Sequence, residues 1–211
     1  MPLIRKDPED SPPSPPVSSD LIADLQSPSS EARWSAARQL AKDRANVGHL
    51  GRALGKEADP RVREALFTGL AQIQTPDAIA AILPHIRSDD AAMRAGALDA
   101  LGAAPQAVEN SIPALLRDPD PDVRILVCDI VRRLPGPIAT RHLCALLKAE
   151  THPNVCGAAV EALSEVGNET ALPVLAKCAD RFASEPFLLF SINTASERIT
   201  GDGRPGGSQS A

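Results

Sequence analysis

Four histidines and four cysteines are the residues of this chain with the most chemistry to offer, and their spacing limits what they can do. His49, His85, His142 and His152 are scattered, none is followed by Glu, and no H-E-x-x-H or other paired-ligand spacing occurs. Cys128, Cys144, Cys156 and Cys178 fall inside apolar helical patterns without a C-x-x-C pair. They read as reduced, buried thiols and not as a disulfide frame or zinc knuckle. A nucleophilic cysteine needs a histidine or cationic site beside it. His152 stands four residues before Cys156 and can approach it; the plainer reading makes Cys128 and Cys156 small core residues. The phosphate-loop, dinucleotide-loop and nucleophile-elbow glycine motifs are absent, and Gly201-Asp202-Gly203 neither follows a strand nor opens a helix. No catalytic constellation, cofactor site or metal site is expected.

The arginines are more regular. Arg33, Arg63, Arg94 and Arg124 stand 30, 31 and 30 residues apart, and each belongs to a variant of one string. Asp118-Pro119-Asp120-Pro121-Asp122-Val123-Arg124 is the fullest copy and Asp59-Pro60-Arg61-Val62-Arg63 nearly repeats it. A fixed period near thirty residues is the mark of a stacked repeat protein. The four arginines can form an anion-binding ladder, or each can pair with an inter-repeat acid such as Asp59, Asp90 or Asp120. The planar guanidinium fork suits repeated carboxylate pairing. The ladder lapses at Cys156 and Leu189, so apolar contacts are expected to hold the last two repeats.

Helices must position these residues. Six second helices are expected to start near Ala32, Val62, Met93, Val123, Val155 and Leu188. Four residues on stand Ala36, Leu66, Ala97, Val127, Ala159 and Ile192; eight residues on stand Leu40, Leu70, Leu101, Val131, Leu163 and Ser196. That spacing gives a broad buried helix face. In Asp59-Pro60 and Asp120-Pro121 the acid can cap the free N–H groups, while Pro takes the first helical position, where no N–H is needed. The first helices read Leu21 to Gln26, Val47 to Glu57, Asp77 to Ile86, Gln106 to Leu116, Ile138 to Ala149 and Thr170 to Ala183. Pro84, Pro113 and Pro173 are expected to kink three of them.

At residues 59 to 70 and 120 to 131 the chain resembles the short bacterial HEAT repeats of phycobilisome lyase type, with their D-P-x-V-R-x-x-A-x-x-A-L pattern. The resemblance covers roughly residues 20 to 200. It implies an all-α, armadillo-like, right-handed α-solenoid of about six helix pairs, with the first helices outside and Asp/Arg ladders along the turns. One HEAT-repeat enzyme group, the deoxyhypusine hydroxylases, holds two irons with repeated His-Glu pairs, and that motif is missing here.

In such a stack the second helices line the concave side, so their outward positions form the natural binding surface. Two of these positions, four apart, share one stripe. The stripe carries Trp34, Arg38, Glu64, Asp99, Ile125, Asp129, Glu161 and Phe190. Asp99, Asp129 and Glu161 are expected to form an acidic ridge flanked by exposed apolar groups. Mere solvation is the rival reading of the charges, and packing against the N-terminal tail that of Trp34. With six layers about 9–10 Å apart, the groove would run about 50 Å, enough for a helix or an extended peptide. Phe182, Phe187 and Phe190 are expected to close the core of the last repeat, with self-association as the lesser reading.

Residues 1–19, rich in Pro, Ser and acids, are expected to form a tail, either a plain solvated leader or a Pro-rich ligand; 201–211 form a second tail around a 20–200 repeat domain. Aromatics are 2% of the 211 residues, which suits Ala- and Leu-rich helix pairs. The net charge of −5 argues against a nucleic-acid binder and against an alkylpurine-glycosylase kind of HEAT-like enzyme. No apolar run is long enough to span a bilayer. The expectation is a cytoplasmic, non-catalytic, monomeric adaptor or assembly factor that takes another protein or a peptide in its groove, without cofactor, nucleic acid or membrane. The alternative, implied by the resemblance alone, is a phycobilin lyase-like subunit assisting tetrapyrrole attachment; the acidic stripe opposes an anionic bilin.

Overall fold

The computed structural model describes residues 18–201. Most of both expected tails therefore lies outside the described residues. The helices are α1 (Ser18–Asp24), α2 (Ser30–Leu40), α3 (Val47–Leu54), α4 (Pro60–Ile73), α5 (Pro76–Ile82), α6 (Ala91–Gly102), α7 (Pro105–Val108), α8 (Ile112–Leu115), α9 (Pro121–Val131), α10 (Gly136–Ala149), α11 (Pro153–Val166), α12 (Leu172–Arg181) and α13 (Pro186–Thr200). No strand occurs among the described residues.

These helices make two layers. The second helices α2, α4, α6, α9, α11 and α13 pack each on the next, and α3, α5 and α7, then α10 and α12, do the same in the first layer. Pairs such as α3 with α4, α10 with α11 and α12 with α13 close the core between the layers. Each second helix begins two residues before its expected start, at Ser30, Pro60, Ala91, Pro121, Pro153 and Pro186. The offset has one cause. Periodicity finds the first apolar side chain on the inner face, whereas the helix opens a half-turn earlier. Every residue at the four-on position is buried, and so is every one at the eight-on position except Ser196.

The prolines behave differently from the expected kinks. The α-helix of α5 stops before Pro84, which lies in a 3-10 stretch, Leu83–Arg87. Pro113 and Pro173 sit in the first turns of α8 and α12, each preceded by a 3-10 stretch. A first turn has no use for the missing N–H, so the ring there costs little. At these three prolines a 3-10 stretch stands in place of a kink, while α10 runs unbroken from Gly136 to Ala149.

At the Asp59 and Asp120 joints the capping carboxylate is where the sequence places it, whereas His152 and Glu185, before α11 and α13, make no side-chain cap bond. The Asp59 carboxylate accepts from the N–H groups of Arg61 and Val62, that of Asp90 from Ala92 and Met93, and that of Asp120 from Asp122. In the first repeat the cap is Ser29, whose hydroxyl accepts from the Ala32 N–H.

The arginine partners need correction. Arg33 and Arg124 do not pair with Asp59 or Asp120. Arg33 grips Glu57 through Nε and Nη2 at 2.8 and 2.9 Å, and Arg124 grips Glu150 at 2.8 and 3.2 Å. Arg63 does reach Asp90, at 2.7 Å. Arg94 has no carboxylate partner among the described residues, and the acid of the following joint, Asp118, is paired with Arg87. A second contact is shared by all four arginines. Each donates to the carbonyl six residues earlier, on Ser27, Glu57, Ser88 and Asp118. Where the ladder lapses, Cys156 turns its thiol to the equivalent carbonyl of Glu150 at 3.8 Å.

The residue carrying that carbonyl stands two before the cap and is used twice. The side chains of Ser27, Glu57, Ser88, Asp118 and Glu150 accept from the N–H of the cap residue at 2.8–3.2 Å. Glu57, Asp118 and Glu150 are buried. A buried carboxylate is tolerated only when paired and hydrogen-bonded, and these three are both. The Arg33 hydrogen bond, aided by the N–H groups of Asp59 and Ala58, holds Glu57 below the usual carboxylate range despite burial. For Glu150 burial is the strongest single influence and pushes upward, but Arg124 and the N–H groups of His152 and Thr151 together outweigh it, and its pKa is lowered.

Candidate protein-binding surface

The stripe residues lie on the exposed side of the second-helix layer, and three grooves between successive helices gather them. Between α2 and α4 a groove of about 550 Å³ is lined by Trp34, Arg38, Arg61, Glu64 and Thr68 among others. Between α4 and α6 a second, of about 500 Å³, has Phe67, Ala71, Gly96 and Ala100 as an apolar floor, with Glu64 and Asp99 also lining it. Between α9 and α11 a third, of about 200 Å³, is lined by Ile125, Asp129, Arg132 and Glu161. Seven of the eight expected stripe residues line these grooves. The eighth, Phe190, stands apart on α13.

Small residues let the helices approach closely enough to make the floors. A Cβ on Gly96 would lie 2.7 Å from the Phe67 ring, and one on Gly69 would lie 2.6 Å from the Ala41 Cβ. Phe67 is fixed from behind by the edge of the His85 ring, with centroids 5.9 Å apart. Burial lowers the His85 pKa and so favours the neutral imidazole.

Trp34 is not a bare anchor. It is half-buried, with the Arg38 guanidinium 4.6 Å and the Arg61 guanidinium 4.2 Å from its ring centroid. Arg61 is steadied by Glu31 at 2.6 Å. Such cation–π contacts contribute about 0.5–1 kcal/mol each at exposed sites. Any contact with residues before Ser18 lies outside the described residues.

The acidic ridge is also modified. Asp99 meets Arg133 at 3.2 Å, Asp129 meets Arg132 at 2.6 Å, and Arg132 bridges on to Glu165 at 3.0 Å. Two of the three ridge acids are thus partly neutralised by the adjacent pair Arg132-Arg133. Among the described residues Glu64 and Glu161 have no ion pair. Ile125 is half-buried against the core.

At the C-terminal end the expected closing core is only partly formed. Phe182 is buried, but Phe187 is 88% exposed and Phe190 73% exposed. The reason is register. Leu188, Ile192 and Ala195 take the inner face of α13, and residues 187 and 190 fall on its outer side.

The histidines and cysteines remain separate from this surface, except that Cys128 reaches the edge of the third groove. Burial pushes the Cys128 thiol up to about 12, which suits an inert core group. His142 is buried and His85 half-buried in the helix packing, and no group of three His, Cys, Asp or Glu side chains placed to hold a metal occurs among the described residues.

The family model for HEAT repeats matches residues 18–102 and 108–185, most of the chain. This is a HEAT-repeat protein. Its membership agrees with the two-layer helix-pair stack and with the repeated joints. Among solved structures, the HEAT-repeat chain is similar to a designed armadillo repeat protein in complex with the peptide (KR)4, at 16% identity over 85% of this chain and 98% of that one, TM-score 0.44. It is similar to the complex of CpcE and CpcF of phycocyanin lyase from Nostoc sp. PCC7120, at 18% identity over 94% and 100%, TM-score 0.38. Human deoxyhypusine hydroxylase matches at 16% identity over 89% and 85%, TM-score 0.41. No curated protein matches the chain. No helix among the described residues of this HEAT-repeat protein is long and apolar enough to cross a membrane.

Proposed function

We propose that the chain is a non-catalytic scaffold, an adaptor or assembly factor, whose concave second-helix surface binds a segment of another protein. The observation that carries this reading is the alignment of seven stripe residues along three grooves. A groove with an apolar floor and a few polar groups at its edge suits side-chain anchors from a bound segment. The middle groove has that composition, with Phe67 and Gly96 below and Glu64, which has no ion pair among the described residues, beside them. The first groove adds the indole edge of Trp34 and two ordered guanidinium groups, and aromatic and arginine side chains concentrate binding energy at interfaces.

The test is capture from the native cell with wild type, Trp34→Ala and Asp129→Arg as baits, followed by mass spectrometry of what co-elutes. A partner held by wild type and lost by both variants, with their helical circular dichroism unchanged, supports the reading. Equal capture by all three overturns it.

A further inference from the structure

Charge changes sign along the three grooves of the second-helix surface. The first, between α2 and α4, is lined by the cations Arg38, Lys42 and Arg61 and by one acid, Glu64. Arg61 is held by Glu31, whereas Arg38 and Lys42 have no ion pair among the described residues. The third groove, between α9 and α11, is lined by Asp129, Glu161 and a single cation, Arg132. Arg132 is already shared between Asp129 at 2.6 Å and Glu165 at 3.0 Å, so the Glu161 charge is left over. Between these two ends lies the groove floored by Phe67, Ala71, Gly96 and Ala100, whose volume of about 500 Å³ admits a large apolar side chain. We infer, resting on the reading of this surface as a protein-binding one, that its partner is an extended segment of mixed charge. It is acidic at the first groove, apolar at the second and basic at the third.

The spacing follows from the stack. The first and second grooves are one helix layer apart, and the third is two layers beyond the second. With layers about 9–10 Å apart and an extended chain rising about 3.3 Å per residue, the acid stands about three residues from the apolar anchor. The basic residue stands about six residues from it on the other side. The middle must be apolar, because a polar group set on the Phe67 ring would give up its water without gaining a partner. The ends must differ in sign, because a segment of one sign would meet repulsion at one of the outer grooves. Complementary charges of this kind fix register and partner choice more than they add strength.

The experiment uses the full chain and a fluorescein-labelled synthetic peptide with two Asp, a Leu about three residues on and two Lys about six residues beyond it. Two companion peptides carry Asp at both ends or Lys at both ends, and a third has Ser in place of Leu. Fluorescence anisotropy at low salt should place the mixed-charge peptide about tenfold tighter than either single-sign companion, as when one exposed ion pair becomes a repulsion. The Ser peptide should also bind more weakly. Protein variants should move the preference. Glu161→Lys is expected to favour the peptide with Asp at both ends, and the double variant Arg38→Glu, Lys42→Glu the one with Lys at both ends. These three side chains are exposed, so helical circular dichroism should be unchanged. Equal affinity for the three charge patterns, no binding by any, or a preference that the variants do not move each overturns the inference. A partner captured from the native cell by wild type and lost by Trp34→Ala and Asp129→Arg would still leave the surface assignment standing, so the two failures are distinguishable.

Discussion

The guanidinium of Arg124 on α9 holds the buried carboxylate of Glu150, at the foot of α11, through two parallel bonds of 2.8 and 3.2 Å. It binds the Asp118 carbonyl of its own joint at 2.7 Å with a third nitrogen. One side chain therefore ties its own turn to that of the next repeat, and both charged groups are largely withdrawn from water. Removing one partner leaves the other charge uncompensated, which costs about 3–5 kcal/mol for a buried pair. Glu150→Ala is expected to fall near the lower end, about 3 kcal/mol, because Arg124 keeps its carbonyl. Glu150→Gln should cost less. Urea unfolding followed by circular dichroism measures both, and an Ala variant within about 0.5 kcal/mol of wild type, the range of a neutral surface change, would remove the joint from the list of stabilising features.

The same acids set an acid limit. Glu57 and Glu150 have folded pKa values below the ordinary carboxylate range, as does Asp90 through Arg63 and the N–H groups of Ala92 and Met93. A group whose pKa is lowered by folding adds stability above its unfolded pKa and loses it as pH falls through the folded value. The urea midpoint should ease downward as pH falls from 7 through the ordinary histidine range, because burial lowers the His85 and His142 pKa values, and then decline further through about pH 4 and below as the carboxylates protonate. In the double variant Glu57→Gln, Glu150→Gln that decline should be visibly shallower.

Two glycines in second helices should respond oppositely to alanine. At Gly69 a methyl group would meet the Ala41 Cβ at 2.6 Å, and neither helix can yield without moving its backbone. Overpacking of this kind costs about 1–3 kcal/mol. At Gly157, inside α11, nothing lies within 4 Å of the added carbon. Alanine there should stabilise by up to about 1 kcal/mol, through helix propensity alone. Thermal melts of the two variants beside wild type decide it, and equal shifts in the same direction would contradict the packing described.

The exposed pair Phe187 and Phe190 should leave the fold alone. Phe190→Ser is expected to change stability by less than about 0.5 kcal/mol, the usual range for surface substitutions. Leu163→Ala, in the closed core of α11, should cost about 2–5 kcal/mol. If the two variants unfold alike, Phe190 belongs to the core after all.

The helix pairs, the inner-face residues and the caps are legible in the sequence because each rests on a local rule. Apolar period marks Leu66, Val127 and Leu163, and an acid before proline marks Asp59 and Asp120. The partner of each arginine is not local. A residue 24 or 26 positions away must be chosen, and the capping acids Asp59 and Asp120 look like candidates as good as Glu57 and Glu150, since a cap can also take an arginine, as the second oxygen of Asp90 takes Arg63. The available signal was a Ser or acid two residues before every cap but the last. For the surface, helical position located the grooves. It could not show that Arg132 and Arg133 fold back on Asp129 and Asp99, nor that the Phe187 and Phe190 rings turn outward. Those depend on side-chain reach and on the register of one helix.

The arginine-to-carbonyl contact has a consequence for rearrangement. In the first four repeats cap, cap-minus-two residue and arginine all fall within a seven-residue window, so each of these units brings its own joint, and those of Arg33, Arg63 and Arg124 ask their successors for one acid. Units of this chain should therefore be interchangeable as cassettes, with a simple compatibility rule. A cassette ending in Arg33, Arg63 or Arg124 is well followed by one that opens with Glu57, Asp90 or Glu150. The Arg94 cassette makes no such demand and can precede any of them.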